Sequence, residues 1–153
     1  MAQTEAEHEA PLTALHHLEY TYRRSVGPVL GRFFAALRER RIEGIRTRAG
    51  RVLVPPAEYD PDTGEATTDQ FVTVGPAGTV TSWTWVAKPR VKQPLQHPFA
   101  YALVKLDGAD TPLLHAVDAL SESRMRTGMR VRPRWRTETK GEIGDIACFE
   151  PEA

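Results

Sequence analysis

Residues 46–64 read Arg-Thr-Arg-Ala-Gly-Arg-Val-Leu-Val-Pro-Pro-Ala-Glu-Tyr-Asp-Pro-Asp-Thr-Gly, and this stretch decides how the rest of the chain is read. Two pairs of positions have x-x spacing, Arg46 with Ala49 and Asp60 with Thr63. Gly50 follows the first pair, Pro55-Pro56 lies between the pairs and Pro61 sits inside the second. This is the layout of two metal knuckles. Tetrahedral zinc needs four soft or borderline donors from Cys or His. Arginine and alanine supply none. The framework of a metal ribbon is therefore kept over residues 44–67, while the ligand set is gone.

Upstream, residues 1–11 are acidic and polar and read as a disordered leader. Residues 12–43 read as an N-terminal helical segment. Val26, Leu30, Phe33, Phe34 and Leu37 fall at i, i+4, i+7, i+8 and i+11, one face of a helix. Ser25 is a candidate N-cap, and Gly27-Pro28 is a natural place for the helix to start or break. Arg32, Arg38 and Glu39 lie on the opposite face.

Downstream the periodicity shortens. Arg51 to Val54 reads as a short strand, and Asp60-Pro61-Asp62-Thr63-Gly64 is strong turn chemistry. Further β-like runs follow at Gln70–Val74, Gly78–Val86, Phe99–Leu106, Leu113–Val117, Met129–Trp135 and Gly144–Phe149. Short strands after one helical region, with no helices alternating between them, predict a small barrel or sandwich over residues 68–150. The fold class is β-rich α+β.

Twenty basic and twenty acidic residues cancel in a chain of 153. That balance argues against a nucleic-acid binder resting on bulk charge. The single cysteine, Cys148, excludes an intramolecular disulfide and any multi-thiolate metal site. No apolar run approaches the roughly 18 residues that span a bilayer. With a leader unlike a secretory signal, the chain reads as cytoplasmic.

The order of helix, ribbon-like loop, Gly-x-Val strand, long loop with a His-Pro, apolar strand and Gly-Met-x-Val resembles the acyl-CoA-associated OB-fold family, the domain-of-unknown-function thirty-five (DUF35) proteins. The carrying residues are Arg32–Arg38, Gly50 with Pro55-Pro56, Gly78–Val86, His97–Asp107 and Thr127–Val131. The resemblance spans residues 20–150 and implies a helical piece, a rubredoxin-like zinc ribbon and an OB-fold barrel. It further implies a thiolase-superfamily enzyme as partner in a hetero-oligomer, a heterotetramer among the arrangements, as with thiolase-like aldolases of steroid side-chain breakdown. Zinc is not carried over, because all four ligand positions depart from the pattern. The stability a structural zinc supplies must then come from packing around Val52, Val54, Pro55 and Tyr59, or from the partner.

Candidate chemistry is sparse. His8, His16 and His17 lie in or near the leader, and His115 reads as a satisfied core or rim residue. His97, before a proline, is a candidate ligand or partner contact, but no acidic orienter or nucleophile stands beside it in sequence. Cys148, within Ile-Ala-Cys-Phe, reads as a buried hydrophobe. Arg130, Arg132, Arg134 and Arg136 alternate with Val131, Pro133 and Trp135, so all four guanidinium groups share one face of an extended segment. That face is either a solvated edge matched by acid, an acidic-partner surface or a cradle for coenzyme A phosphates. Trp83 and Trp85, with Thr81, share a strand face suited to core packing, a partner interface or base stacking. Lys88 and Arg90 place positive charge in the 87–98 loop, a candidate contact loop.

These readings converge on an accessory subunit without catalytic residues, metal or cofactor, acting within a lyase or acyltransferase complex. Phe33, Phe34, Leu37, Trp83, Trp85, His97 and Phe99 are the candidate partner contacts. Lys88, Arg90, Arg130, Arg132 and Arg134 are the candidate CoA phosphate ligands. A stand-alone acyl-CoA binding module and a single-stranded nucleic-acid binder stay open as alternatives.

Overall fold

The computed structural model describes residues 13–22 and 25–152. The expected leader, with His8, lies outside the described residues. Residues 13–22 carry no regular element and are exposed throughout. The helix expected over 12–43 is confined to α1, Gly27–Arg38. Pro28 pre-sets the first turn without forfeiting a needed N–H, and the Gly27 N–H donates to Ser25 Oγ at 3.3 Å. At the other end Arg40 takes a left-handed conformation, φ 57°. There Arg40 N–H donates to Leu37 O and Arg41 N–H to Ala36 O, the paired bonds that close a helix around a residue that is usually Gly. Arg40 holds this position while its guanidinium donates to the carbonyls of Arg136 and Thr137.

The closure frees the chain to begin a strand inside the expected helix. β1, Ile42–Arg46, is flanked by β2, Val52–Leu53, and β3, Phe71–Val74, in an antiparallel sheet of order β2-β1-β3. Ile42 pairs with Val74, and Ile45 with both Phe71 and Leu53. The ribbon sheet thus runs from 42 to 74 rather than 44 to 67. Gly44 lies mid-strand, where a Cβ would meet the Val52 side chain at 2.6 Å and Leu53 O at 2.9 Å.

The barrel is made of β4, Gly78–Val86; β5, Phe99–Leu106; β6, Leu113–Val117; β7, Arg130–Trp135; and β8, Ile146–Pro151. It closes in the order β4-β5-β6-β8-β7. All pairings are antiparallel except β6 with β8, joined at Val117 and Phe149. β4 returns to β7 through only two pairs, Gly78 with Val131 and Thr79 with Arg130. Beyond Val131 the β4 side of β7 has no strand partner, which accommodates Pro133. A bulge between Val80 and Ser82 adds one residue to β4. It brings Trp83 and Trp85 to the side of Val80, where both pack half-buried on the core.

One apolar cluster unites the three parts. Phe33 and Leu37 of α1, Ile42, Val52, Val54 and Val74 of the ribbon sheet, and Val80, Val104, Val131 and Phe149 of the barrel all belong to it. The ribbon is therefore attached to the barrel by buried side chains. Val26, at the start of the expected helical stripe, stays half exposed at 50%.

Gly78 sits where β4, β5 and β7 meet, and a Cβ there would lie 2.7 Å from Lys105 O and 2.9 Å from the Val104 side chain. Backbone cannot yield as a flexible side chain can. Gly78→Ala is expected to destabilise the protein by about 1–3 kcal/mol, a fall in Tm of about 2–4 °C per kcal/mol for a chain of this size. A thermal melt followed by near-UV circular dichroism checks it.

Candidate functional site

The four positions read in the sequence as emptied ligand sites lie in two tight turns. Arg46 ends β1, and its Nη1 donates to Gly50 O at 3.0 Å. Ala49 is exposed. Asp60 is buried at 3%; its Oδ1 accepts from Asp62 N–H at 3.0 Å, and its carbonyl accepts from Gly64 N–H. Thr63 Oγ1 accepts from Glu65 N–H at 3.2 Å. Between the turns lies the Arg51 guanidinium, bonded to the Asp62 carboxylate and 3.6 Å from Asp60 Oδ1. One carboxylate among the four positions does not make a zinc site. Among the described residues no three His, Cys, Asp or Glu side chains converge on a point where a metal could sit.

The arginine ladder keeps its alternation, with Arg130, Arg132 and Arg134 outward and Val131 buried. Every rung meets acid. Arg130 grips Asp107 with two bonds of 2.7 and 2.6 Å and reaches Thr79 Oγ1 and Glu152. It thereby clamps the β4–β7 closure. Arg132 pairs with Glu150 at 3.2 Å, Arg134 with Asp118 at 3.3 Å and Arg136 with Glu142 at 3.9 Å. A guanidinium already held by a carboxylate is a poor start for a phosphate fork. Lys88 and Arg90 are exposed on the 87–98 loop. That loop is anchored by Leu95, packed with Phe99, Ala116 and Cys148.

His97 does have an acidic orienter. Its Nε2 lies 3.1 Å from Asp118 Oδ2, a carboxylate only 6% exposed, which is also bound by Arg134. Sequence separation of 21 residues hid this pair. The chain's single thiol is no nucleophile for it: burial pushes Cys148 up to about 11. His115 is buried at 8%; desolvation lowers its pKa against opposing backbone hydrogen bonds, which leaves a neutral core imidazole.

Burial revises the expected contact surface. Phe33, Leu37 and Phe99 are 1%, 0% and 0% exposed. They are core residues and cannot meet a partner, because the helical stripe faces the chain's own barrel and ribbon. Phe34, Trp83 and Trp85 are partly covered by the same core, whereas His97 is exposed.

The apolar surface actually presented lies elsewhere. On residues 13–22, Leu15, Leu18, Tyr20 and Tyr22 are 101%, 65%, 75% and 82% exposed. Leu18, Tyr20 and Tyr22 alternate with Glu19 and Thr21, the period of a strand with one apolar side. The chain then enters α1 beside a groove of about 410 Å³ lined by Val26, Val29, Leu30, Pro56, Ala57 and Tyr59. The alternation was legible in sequence but was absorbed into the expected helix.

A closed five-stranded barrel of this order, preceded by a helix and a three-stranded antiparallel sheet, defines an OB-fold protein. Residues 71–136 match the family described as ChsH2, C-terminal OB-fold domain, in line with the DUF35 resemblance read in the sequence. The chain is similar in fold to the Ltp2-ChsH2(DUF35) aldolase, with 21% identity and a TM-score of 0.60 over 84% of this chain and 98% of that one. It is also similar to a DUF35-family protein of unknown function from Sulfolobus solfataricus, with 19% identity and a TM-score of 0.61 over 83% of this chain and 85% of that one. No curated protein matches the chain by sequence. Among the described residues no helix is long and apolar enough to cross a membrane.

The segment that receives the end of α1 depends on one carboxylate. Asp145 is fully buried and accepts from the N–H groups of Lys140, Gly141 and Glu142. Burial alone would raise its pKa, but the three donors outweigh burial and the net shift is downward. Asp107 is likewise lowered, chiefly by its bonds from Arg130. A depressed folded-state pKa means that the unfolded chain binds protons more readily. The stabilisation is then complete above the ordinary aspartate value of about 3.9 and is lost as pH falls through the depressed values. Asp145→Asn is expected to lower stability at neutral pH and to flatten the loss below about pH 4. Urea denaturation at a series of pH values measures both effects.

Proposed function

We propose that this chain is a non-catalytic accessory subunit that binds and stabilises a thiolase-like acyl-CoA enzyme and shapes access to its acyl-CoA channel. The enzyme is an aldolase or thiolase of steroid or related lipid side-chain degradation, in a cytoplasmic hetero-oligomer. The observation that carries the reading is the apolar arm of residues 13–22, which leaves its own fold with Leu18, Tyr20 and Tyr22 uncovered. A contiguous apolar surface of this kind marks a protein contact, and an alternating extended segment suits addition to another chain's sheet edge or groove. The likeness in fold to the Ltp2-ChsH2(DUF35) aldolase supports an aldolase as the receiving enzyme. The groove between Val29 and Tyr59 extends the contact, and His97 with the 87–98 loop forms its second candidate edge. Bond cleavage belongs to the partner, and this chain holds no cofactor for it.

A second reading, direct contact with the CoA moiety, is favoured by one observation. Arg124 and Arg126 have no carboxylate partner among the described residues, and with Ser123, Met129 and Arg130 they line a groove of about 620 Å³. Saturable heat on titration with a CoA thioester, lost in Arg124→Ala/Arg126→Ala, is the expected signature; no heat with several CoA esters removes it.

The primary reading is tested by co-expression with a thiolase-like aldolase, chosen from the genes that flank this one if they encode such an enzyme. The two are expected to co-purify, and Leu18→Asp/Tyr20→Asp should weaken the complex at least about tenfold, as loss of an aromatic anchor does. The melting temperature of the isolated variant should not change, because both residues are solvent-exposed. An enzyme fully soluble and active without this chain would refute the proposal.

A further inference from the structure

The knuckles have lost their metal ligands, yet neither turn has loosened. In the first, Thr47 N–H donates to Arg51 O at 2.7 Å and Gly50 N–H to Thr47 O at 3.0 Å. In the second, Asp60 N–H donates to Glu65 O and Gly64 N–H to Asp60 O, both at 2.8 Å. Those bonds hold each turn separately. What a zinc ion adds in a ribbon is a cation between two turns, drawing them together through anionic donors.

We infer that Arg51 fills that role: its guanidinium, set between the turns and held by Asp62 and Asp60, is an organic cation that joins the two knuckles in place of zinc. Arg51 directly follows the first knuckle, and both carboxylates belong to the second, so the ion pair crosses the gap a metal would bridge. Asp60, at a former ligand position, is 3% exposed. A carboxylate so buried is retained only if paired, and Arg51 with the Asp62 N–H supplies the pairing. Three of the four former ligand positions have become hydrogen-bonding residues of the knuckles: Arg46 binds Gly50 O, Asp60 binds Asp62 N–H and Thr63 binds Glu65 N–H.

Charge balances as well. A zinc ion with four thiolates carries net −2, whereas Arg46, Arg51, Asp60 and Asp62 sum to zero. The neutral set needs neither metal supply nor reduced thiols. One nitrogen of the guanidinium, Nη1, faces both carboxylates, bonded to Asp62 and 3.6 Å from Asp60 Oδ1.

The test uses the full chain. Arg51→Met is expected to lower Tm by about 3–8 °C. Amide exchange at Thr47, Gly50, Asp60 and Gly64 should accelerate at least about tenfold while β5 amides keep their protection. Replacing the four positions together (Arg46→Cys, Ala49→Cys, Asp60→Cys, Thr63→Cys) should create a site for one cobalt or zinc, seen as thiolate–cobalt absorption. In that metal-loaded protein Arg51→Met should no longer matter. Chelator should leave the unaltered protein's Tm unchanged. Stoichiometric zinc in the unaltered protein, unchanged knuckle exchange in Arg51→Met, or failure of the four-cysteine protein to bind metal would each overturn the inference. Arg51→Met/Asp62→Asn, whose two effects should be less than additive, gives an answer even where the four-cysteine chain does not fold.

Discussion

The barrel depends on a short seam. β4 returns to β7 through two residue pairs, and at that point β5 lies so close to β4 that only glycine fits at position 78. Two residue pairs, continued by the bonds of Val80 N–H to Met129 O and of Gly128 N–H to Val80 O, are a slender closure for a five-stranded barrel. Arg130 reinforces it from outside by joining Thr79 of β4, Asp107 just past β5 and Glu152 just past β8. Exposed ion pairs are individually worth about 0–1 kcal/mol. A bidentate grip that also spans three segments does more, because it restricts their relative movement. Arg130 is thus a fastening of the fold before it is anything else, and the shape of the neighbouring grooves follows from where it pins the barrel rim.

The seam also anchors the ribbon sheet, where no metal-ligand cluster forms among the described residues. A zinc ribbon standing alone has too little core to fold. Here Ile42, Val52, Val54 and Val74 enter the same cluster as Val80 and Val131 beside the seam, and Phe33 and Leu37 cover it from the helix. Val52 N–H and Val54 N–H are further tied to Asp110 and Thr111 of the β5–β6 connection. Packing attaches the inner end of the ribbon to the barrel. Only the outer end, where the two knuckles face each other, lacks apolar support, and that is where the charged groups gather.

Strand boundaries were legible because Pro, Gly and Asp punctuate a chain whose apolar runs are short, and β4, β5 and β6 fall on the residues their composition suggests. β1 was not. Its start follows a helix closure built on Arg40, and nothing in an arginine announces a left-handed backbone; the carbonyls of Arg136 and Thr137 that reward it are distant in sequence. The bulge in β4 was equally silent: Trp83 and Trp85 do share a face, but it is that of Val80, and Thr81, read as their neighbour on it, points to the other side. In the candidate site the alternation of arginines was plain, but their neutralisation rests on Asp107, Asp118, Glu142 and Glu150, which only the barrel brings near. The amphipathic stripe on α1 was real and pointed inward, since a helix this short buries its apolar face on its own domain. Large apolar side chains are left uncovered instead on the segment before it.

β8 comes after every other strand, yet it lies between β6 and β7 and runs parallel to the former. During synthesis β6 and β7 must therefore wait, each with an unsatisfied row of peptide groups, until Ile146–Pro151 is available to slot between them. Zippering hairpin by hairpin cannot complete this barrel, and the nascent polypeptide passes through a form with two adhesive strand edges. The last strand made is therefore the one that seals both edges, and until it arrives the barrel stays open.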